Sequence, residues 1–330
     1  MVGLVFNIGG TCFRAARYHS GSTSISSVQR STTPSHLEFQ GYTSDQLREL
    51  LFRKLLLTSQ EIFGSEEPDF ISVAFAGPID LSGNAILAPT ILGDLDKRPL
   101  PLLEQLQRFF PMSRVYVLND VTAAGYRYIE HGDEDLCILT VGSGIGSKIF
   151  IGGKPLIGSN FQGGELGHLR VDFSDDALGC DCGGLGHLAS VASGRGVLQN
   201  GLRMMERQPE IIFESCLTEK LSSKTNIDNR FIVEAFNADD VWACDLIKNA
   251  ANYLGQVIAS VHLSTGVERF IIGGGFALAL GEKYRKNLIA AAQLSCWEQD
   301  QDWDCMITLG ESDDNDSLIG AGKYAVRFAR

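Results

Sequence analysis

Residues 3–11 read Gly-Leu-Val-Phe-Asn-Ile-Gly-Gly-Thr, an apolar run that ends in two glycines. The run 3–8 predicts a buried strand, Gly9-Gly10-Thr11 predicts a turn, and residues 12–18 predict a strand that returns beside the first. Glycines in such a turn let backbone N–H groups approach phosphate oxygens without a Cβ in the way. Taken alone, the motif is equally typical of a plain hairpin.

The same pattern occurs again near the middle of the chain. Residues 136–141 (Leu-Cys-Ile-Leu-Thr-Val) predict a strand, Gly142-Ser143-Gly144-Ile145-Gly146 a glycine-rich turn, and 147–151 a returning strand. Two such turns are suited to hold one polyphosphate, although no Gly-Lys-Ser/Thr follows at the spacing of a P-loop. The repeat predicts two related domains that face each other across a cleft.

Helices and strands mix along the chain in the pattern of an α/β protein. We expect a smaller α/β domain over residues 1–125, joined by a C-terminal helix over 317–330. A larger α/β domain is expected over 126–316. Within it, the polar stretch 296–316 is expected to be loop or exposed surface.

The composition and charge of the chain argue against several classes of protein. The chain has 330 residues, of which 44% are hydrophobic and 21% charged, and this predicts a packed globular protein of about two domains. The net charge of −12 argues against a general nucleic-acid partner or an anionic membrane surface. Neither a transmembrane run of about 18 apolar residues nor a signal peptide is present, so we expect a cytoplasmic protein with reduced cysteines.

A polar pair, Asn119-Asp120, follows a short apolar strand. A carboxylate at a strand end that faces a cleft is placed to accept a proton from a substrate hydroxyl. An Asx turn or a helix N-cap would use the same residues, and for a single Asp these structural roles are the commoner ones.

Four potential metal ligands lie close together in the sequence: His168, Cys180, Cys182 and His187. Zn²⁺ prefers four nitrogen or sulfur ligands in a tetrahedron, and a full protein set leaves no open position. The pattern therefore predicts a structural zinc site. The alternative is a glycine-rich loop with unconnected thiols and imidazoles.

In this order, the motifs resemble those of the ROK family of sugar kinases (repressor, open reading frame, kinase), which has the actin-like, ribonuclease H-like ATPase fold shared with hexokinases. The resemblance covers nearly the whole chain. The further matching segments are Gly77-Pro78-Ile79-Asp80, Glu165-Leu166-Gly167-His168, Gly273-Gly274-Gly275 and Gly320-Ala321-Gly322.

The resemblance implies ATP-dependent phosphorylation of a primary hydroxyl on a hexose-like substrate, with Mg²⁺ accompanying ATP and Asp120 as the general base. It also implies a homodimer. The implied substrate-binding residues are Asn119, Asp120, Glu165, His168, Thr90 and Gly77. The implied ATP-binding residues are Gly9, Gly10, Thr11, Gly142, Ser143, Gly144, Gly274 and Gly275.

Several positions depart from the family pattern. Asn7 replaces an Asp that helps to orient hydrated Mg²⁺, and His187 replaces a Cys while remaining a valid zinc ligand. Thr90 replaces a sugar-binding Asn, and Ala189 replaces a sugar-binding Glu. Asp94 stands where the family often has an aromatic residue. Such changes usually alter substrate choice. We therefore expect an acceptor whose far side differs from glucose: an amino sugar, an N-acyl sugar or a carbasugar (cyclitol).

Three alternatives stay open at this point. Asn7 and Ala189 favour a catalytically weakened sugar-binding sensor of the same fold. A ROK-type transcription factor without its DNA-binding domain is disfavoured by the acidic charge, and the first phosphate turn, which begins near residue 7, favours a free-standing kinase. The third alternative is an acyl or acetate kinase of the same superfold. It is disfavoured because such kinases lack the His-Cys-Cys loop.

Overall fold

The computed structural model describes residues 1–93, 97–207, 227–297 and 300–329. Contacts divide the chain into two compact units. The first unit comprises Met1–Gly132, Ile157–Gly163 and Asn315–Arg330, and the second comprises Asp133–Leu156 and Gly164–Asp314.

The first unit is built on a five-stranded sheet. Its strands are β1 (Val2–Ile8), β2 (Cys12–His19), β3 (Ser24–Thr32), β4 (Phe70–Phe75) and β5 (Arg114–Asn119), in the order β3-β2-β1-β4-β5. β2 pairs antiparallel with β1 and with β3, whereas β4 and β5 run parallel to β1. β1 is central and its residues Gly3–Ile8 are buried, which explains why it reads as a continuous apolar run.

Helices cover this sheet. They are α1 (Ser44–Phe63), α2 (Pro89–Leu92), α3 (Leu102–Phe109), α4 (Asp120–Arg127) and the C-terminal helix Asp316–Phe328. The C-terminal helix packs closely on α4, because a Cβ on Gly320 would lie only 1.7 Å from the Ala123 carbonyl oxygen. The expected C-terminal helix is thus present, and its glycine permits the close contact with α4.

The second unit repeats the first in strand order. Its strands are β6 (Leu136–Val141), β7 (Ile145–Ile151), β8 (Lys154–Pro155), β9 (Phe270–Gly273) and β10 (Ile307–Leu309), in the order β10-β9-β6-β7-β8. β6 occupies the central position of β1, with an antiparallel β7–β8 hairpin on one side and parallel β9 and β10 on the other. The predicted internal repeat is therefore confirmed at the level of topology.

The second unit also contains a short 3₁₀ turn at Leu166–His168 and a mainly helical half. Its helices are α5 (Leu188–Ala192), α6 (Gly194–Arg207), α7 (Asn229–Asn237), α8 (Val241–Thr265), α9 (Gly275–Ser295) and α10 (Trp303–Met306). The expectation of loop or exposed surface over 296–316 is wrong in part. This stretch contains α10 and β10, and Trp303 is only 2% exposed. Within the described ranges, every helix is too short or too polar to cross a lipid bilayer.

Candidate active site

The first glycine turn, Gly9-Gly10-Thr11, connects β1 to β2. The Gly9 N–H donates to the Cys12 carbonyl at 3.0 Å, which closes the turn. Thr33 forms two hydrogen bonds to this turn. Its hydroxyl donates to the Gly9 carbonyl at 2.7 Å, and its N–H donates to the Thr11 carbonyl at 3.1 Å. The turn is therefore held in one shape while Thr11 stays exposed.

Thr90, in the first turn of α2, lies against this glycine turn. A Cβ on Gly10 would lie 2.9 Å from the Thr90 Cβ and 3.1 Å from its Oγ1, so the contact requires glycine at position 10. The structure thus brings an expected substrate residue next to an expected ATP-binding residue. Asp94, the other departure noted in this region, lies outside the described residues.

Asn7 is buried near the end of β1, with 6% of its surface exposed. Its Oδ1 atom is buried and has no hydrogen-bond partner among the described residues. A buried oxygen without a donor costs free energy, so this atom is suited to accept a hydrogen bond from a water molecule or to approach a cation. Asn7 therefore fits a hydrated Mg²⁺ through its oxygen, but it supplies no negative charge.

Asn119 joins three parts of the first unit. Its Oδ1 accepts hydrogen bonds from the Val121 N–H at 3.1 Å and the Thr122 N–H at 3.0 Å, so it is the N-cap of α4. Its Nδ2 donates to Asp120 Oδ1 at 3.0 Å and to the Gly77 carbonyl at 3.2 Å. The structural role left open by the sequence is real for Asn119, and through it Gly77, Asn119 and Asp120 come together.

The Asp120 carboxylate lies half-buried in the first turn of α4. Its Oδ1 also accepts the Val121 N–H at 2.9 Å. Two N–H donors hold this carboxylate in place in the first turn of α4, where the partial positive charge at a helix N-terminus attracts an anionic group. The geometry is therefore that of an oriented carboxylate at the junction of β5 and α4.

The turn that contains Gly77 is stabilised by Asp80. Its Oδ1 accepts the N–H groups of Ser82 and Asn84, both at 2.9 Å, and its Oδ2 accepts the Asn84 side-chain amide at 2.8 Å. Slight burial alone would raise the pKa of Asp80, but these hydrogen bonds outweigh it and hold the pKa below its ordinary value. A Cβ on Gly77 would lie 2.5 Å from the Leu87 carbonyl oxygen, so the turn also depends on glycine.

The second glycine turn connects β6 to β7. The Gly142 N–H donates to the Gly144 carbonyl at 2.9 Å, and Ser143 at the tip is exposed. Gly274 lies beside it at the start of α9: its φ is +90°, and a Cβ there would lie 2.6 Å from the Val141 backbone. The structure thus brings Gly274 close to Val141, the residue just before the Gly142-Ser143-Gly144 turn, and Gly275 follows it in the chain.

The segment 164–168 packs directly on β7. The Ser147 hydroxyl donates to the Gly164 carbonyl at 2.6 Å and accepts the Leu166 N–H at 2.9 Å. A Cβ on Gly167 would lie 2.3 Å from the Ile145 carbonyl oxygen. These contacts fix the positions from which Glu165 and His168 extend.

Lys148 is a site residue that the sequence reasoning missed. Its Nζ lies 2.9 Å from Glu165 Oε1, and its side chain is 3% exposed while that of Glu165 is 49% exposed. A lysine is rarely buried unless it is paired. The available signal was a single charged residue in the apolar strand β7, and its partner could not be read from the sequence. The pair orients the Glu165 carboxylate.

The four expected metal ligands lie together in the second unit. One donor atom from each of His168, Cys180, Cys182 and His187 lies within 4.8 Å of the others. Cys180 Sγ is 3.8 Å from His168 Nδ1, and Cys182 Sγ is 3.2 Å from His187 Nδ1. A tetrahedral zinc site requires S···N separations of about 3.6 Å, so this donor set fits zinc.

Comparison with known proteins agrees with these features. The ROK family model matches residues 6–327. The chain belongs to the ROK family. A C(7)-cyclitol 7-kinase from Streptomyces hygroscopicus subsp. limoneus is 32% identical over 331 residues, which cover 98% of this chain and 93% of that protein. A glucokinase from Aeropyrum pernix is 30% identical over 273 residues, which cover 78% of this chain and 79% of that glucokinase.

Among solved structures, a ROK family glucokinase from Streptomyces griseus, in complex with glucose and AMPPNP, superimposes with a TM-score of 0.78. It is 23% identical, and the match covers 99% of this chain and 100% of that one. The predicted actin-like ATPase fold is confirmed by this likeness. Because the relatives just described are named as kinases, the comparisons do not favour the sensor alternative.

We expect the Lys148–Glu165 pair to respond asymmetrically to substitution. Glu165→Gln removes the carboxylate from a buried ammonium group and should lower the Tm by about 2–6 °C, or about 1–2 kcal/mol. Lys148→Met leaves only a half-exposed carboxylate and removes the cost of burying the charge, so it should lower the Tm less. Thermal unfolding measures both, with Lys154→Met at an exposed position as the control. A larger loss for Lys148→Met would contradict this assignment.

Asp80 predicts a pH-dependent contribution to stability. Because its folded pKa is depressed, its contribution is complete above the unfolded pKa of about 3.9 and is lost as the pH falls through the folded pKa. The Tm difference between wild type and Asp80→Asn should therefore be largest above about pH 4 and shrink at lower pH. Calorimetry across this range tests it, with Glu66→Gln at an exposed carboxylate as the control. A difference that does not change with pH would refute the role of the charge.

Proposed function

We propose that this ROK protein is an ATP-dependent kinase that transfers the γ-phosphoryl group to a primary hydroxyl of a hexose-like acceptor, with a cyclitol as the favoured acceptor. The observation that carries the proposal is the Asp120 carboxylate, oriented by the Asn119 side chain and the Val121 N–H at the start of α4. The names of the relatives support the same reaction class.

In the proposed reaction Asp120 accepts the proton of the acceptor hydroxyl while the hydroxyl oxygen attacks the γ-phosphorus of ATP. The bond from that phosphorus to the β–γ bridging oxygen breaks, and ADP leaves. A positioned base of this kind contributes roughly 10²–10⁴-fold to the rate. Gly9, Gly10 and Thr11 in the first unit and Gly142, Ser143 and Gly144 in the second are assigned to the phosphates, which backbone N–H groups stabilise by position and charge. We assign Asn119, Glu165 and His168 to the acceptor hydroxyls.

Mg²⁺ bound with ATP would neutralise charge that develops on the phosphoryl oxygens. Asn7 is the residue assigned to its hydration shell, because the buried Oδ1 has no other partner among the described residues. The amide orients water as an acceptor but adds no charge. We therefore expect a weaker Mg²⁺ dependence of ATP binding than an aspartate at this position would give.

A structural zinc ion is the second proposed cofactor, held by His168, Cys180, Cys182 and His187. The support is the clustering of their donor atoms within 4.8 Å. His168 Nδ1 is the ring nitrogen nearest Cys180, which leaves Nε2 for a hydrogen bond to the acceptor. The role proposed for zinc is to fix the ring of His168.

The acceptor class follows from the altered positions. Ala189 has no polar side chain, and the Thr90 hydroxyl is shorter than the asparagine of the family pattern. A site that lacks two polar groups leaves the hydroxyls of glucose unpaired and selects against it. The relative named as a C(7)-cyclitol 7-kinase covers 98% of this chain, compared with 78% for the glucokinase. A cyclitol is therefore favoured over glucose and over amino or N-acyl sugars.

ADP release, coupled to an optical readout, tests the function over a panel of C7-cyclitols, glucose, glucosamine and N-acetylmannosamine. The expected result is ATP-dependent turnover with the highest kcat/KM for a cyclitol. Saturable binding of an acceptor without ADP release would instead support the sensor. The proposed homodimer rests on the family resemblance, and light scattering coupled to gel filtration tests it. The cytoplasmic location stays an expectation from the sequence alone.

Asp120→Asn should lower kcat by about 10²–10⁴-fold, because the amide cannot accept the proton. Nucleotide binding and Tm should stay near wild type, since the amide keeps an oxygen for the Val121 N–H. Steady-state kinetics and calorimetric titration with AMPPNP measure these properties. Asp45→Asn, at an exposed aspartate of α1 in the same unit, should keep its kcat and serves as the control. Near-normal turnover of Asp120→Asn would remove Asp120 from the role of base.

His187→Ala should lower zinc content and Tm together, because three ligands hold a structural zinc less tightly than four. Elemental analysis and thermal unfolding measure the two effects. His19→Ala, in a histidine of the first unit, should leave zinc content unchanged. If His187→Ala retains the wild-type amount of zinc, the ligand assignment is wrong.

A further inference from the structure

Arg195 stands where two functional segments of the second unit meet. It follows Gly194 at the start of α6, directly after α5. The Gly194 N–H donates to the Gly142 carbonyl at 2.8 Å. The Arg195 N–H and Nε both donate to the Ser143 carbonyl, at 3.4 and 3.0 Å. The beginning of α6 is thus bonded to the second glycine turn at three points.

The other side of the Arg195 guanidinium forms an ion pair, through Nη1, with Asp181 Oδ2. Asp181 lies between Cys180 and Cys182, so two of the proposed metal ligands determine its position. The Arg195 and Asp181 side chains are 55% and 68% exposed, and an isolated pair of this kind contributes little to stability. Its effect is to connect the metal loop to the glycine turn through one planar group.

These contacts determine the direction of N–H groups in the turn. A peptide unit is planar and trans, so a carbonyl oxygen and the N–H of the next residue point in opposite directions. Holding the Gly142 carbonyl fixes the Ser143 N–H, and holding the Ser143 carbonyl fixes the Gly144 N–H. The guanidinium also lies beside Gly144, since a Cβ there would be 3.8 Å from Arg195 Nη2.

We propose that Arg195 is a positioning residue that couples the metal loop to the phosphate turn, so that an ordered Cys180–Cys182 loop raises the affinity for nucleotide. This inference rests on the proposed function, in which the turn binds ATP phosphates and the loop binds zinc. An arginine is suited to the task because its fork holds two partners in a fixed geometry, which a lysine cannot do.

The test compares Arg195→Ala, Arg195→Lys, Asp181→Asn and the double variant Asp181→Asn/Arg195→Ala with wild type. Calorimetric titration gives the Kd for AMPPNP, steady-state kinetics give both KM values, and elemental analysis gives zinc content. Arg195→Ala should raise the Kd for AMPPNP and the KM for ATP about tenfold, with zinc content and acceptor KM unchanged. Arg203→Ala, on the same helix near Asp176, should change none of these and is the control.

Two comparisons separate positioning from charge. Arg195→Lys should weaken AMPPNP binding nearly as much as Arg195→Ala, because it keeps the charge but cannot make both contacts. Asp181→Asn should weaken binding about threefold alone and have no further effect in the Arg195→Ala background, because it acts through Arg195.

The proposal is overturned if Arg195→Ala binds AMPPNP like wild type, if Arg195→Lys restores full affinity, or if the effects of Asp181→Asn and Arg195→Ala add. Wild-type protein that binds no AMPPNP would overturn the proposed function itself, which is a distinguishable result.

Discussion

The chemistry of the first unit depends on the side-chain amide of Asn119. Its oxygen satisfies two backbone N–H groups at the start of α4, and its nitrogen reaches the Asp120 carboxylate and the Gly77 carbonyl. An N-cap of this type stabilises a helix by about 1 kcal/mol. The same atoms that begin the helix also orient the carboxylate. The N-cap and the proposed functional role therefore use one arrangement of atoms, although the sequence presents the two roles as alternatives.

In the second unit a carboxylate is also oriented by its neighbours, but the neighbours lie on a strand and not at a helix N-cap. Buried Ser147 and Lys148 on β7 hold the segment that carries Glu165 and His168. A buried lysine opposite a half-exposed carboxylate is weak evidence for stability, because desolvation offsets much of the attraction. Its contribution is orientation: the carboxylate has a fixed partner on a rigid strand. We regard the pair as an element of the site.

The departures from the family pattern change side chains and leave the glycine turns unchanged. Gly10 packs against Thr90, one of the changed positions. Asn7 keeps a buried oxygen at the end of β1 and loses only the charge. In the proposed function, backbone N–H groups bind phosphate while side chains select the acceptor, so one can change without the other. This separation explains how a shared fold accommodates relatives named for different acceptors.

The sequence by itself determined the repeated strand–turn–strand unit, the Asn119-Asp120 pair and the four clustered potential metal ligands. Each is a short-range pattern whose members lie within one turn, one strand end or one loop. The sequence did not predict β3, a mostly exposed edge strand held by backbone hydrogen bonds, or β10, whose partner β9 lies far away along the chain. Only the tertiary structure placed Lys148 against Glu165 and Arg195 between Ser143 and Asp181. Those contacts join residues on separate strands, loops and helices, and side-chain chemistry alone does not specify which charged group will come within bonding distance once these elements have packed.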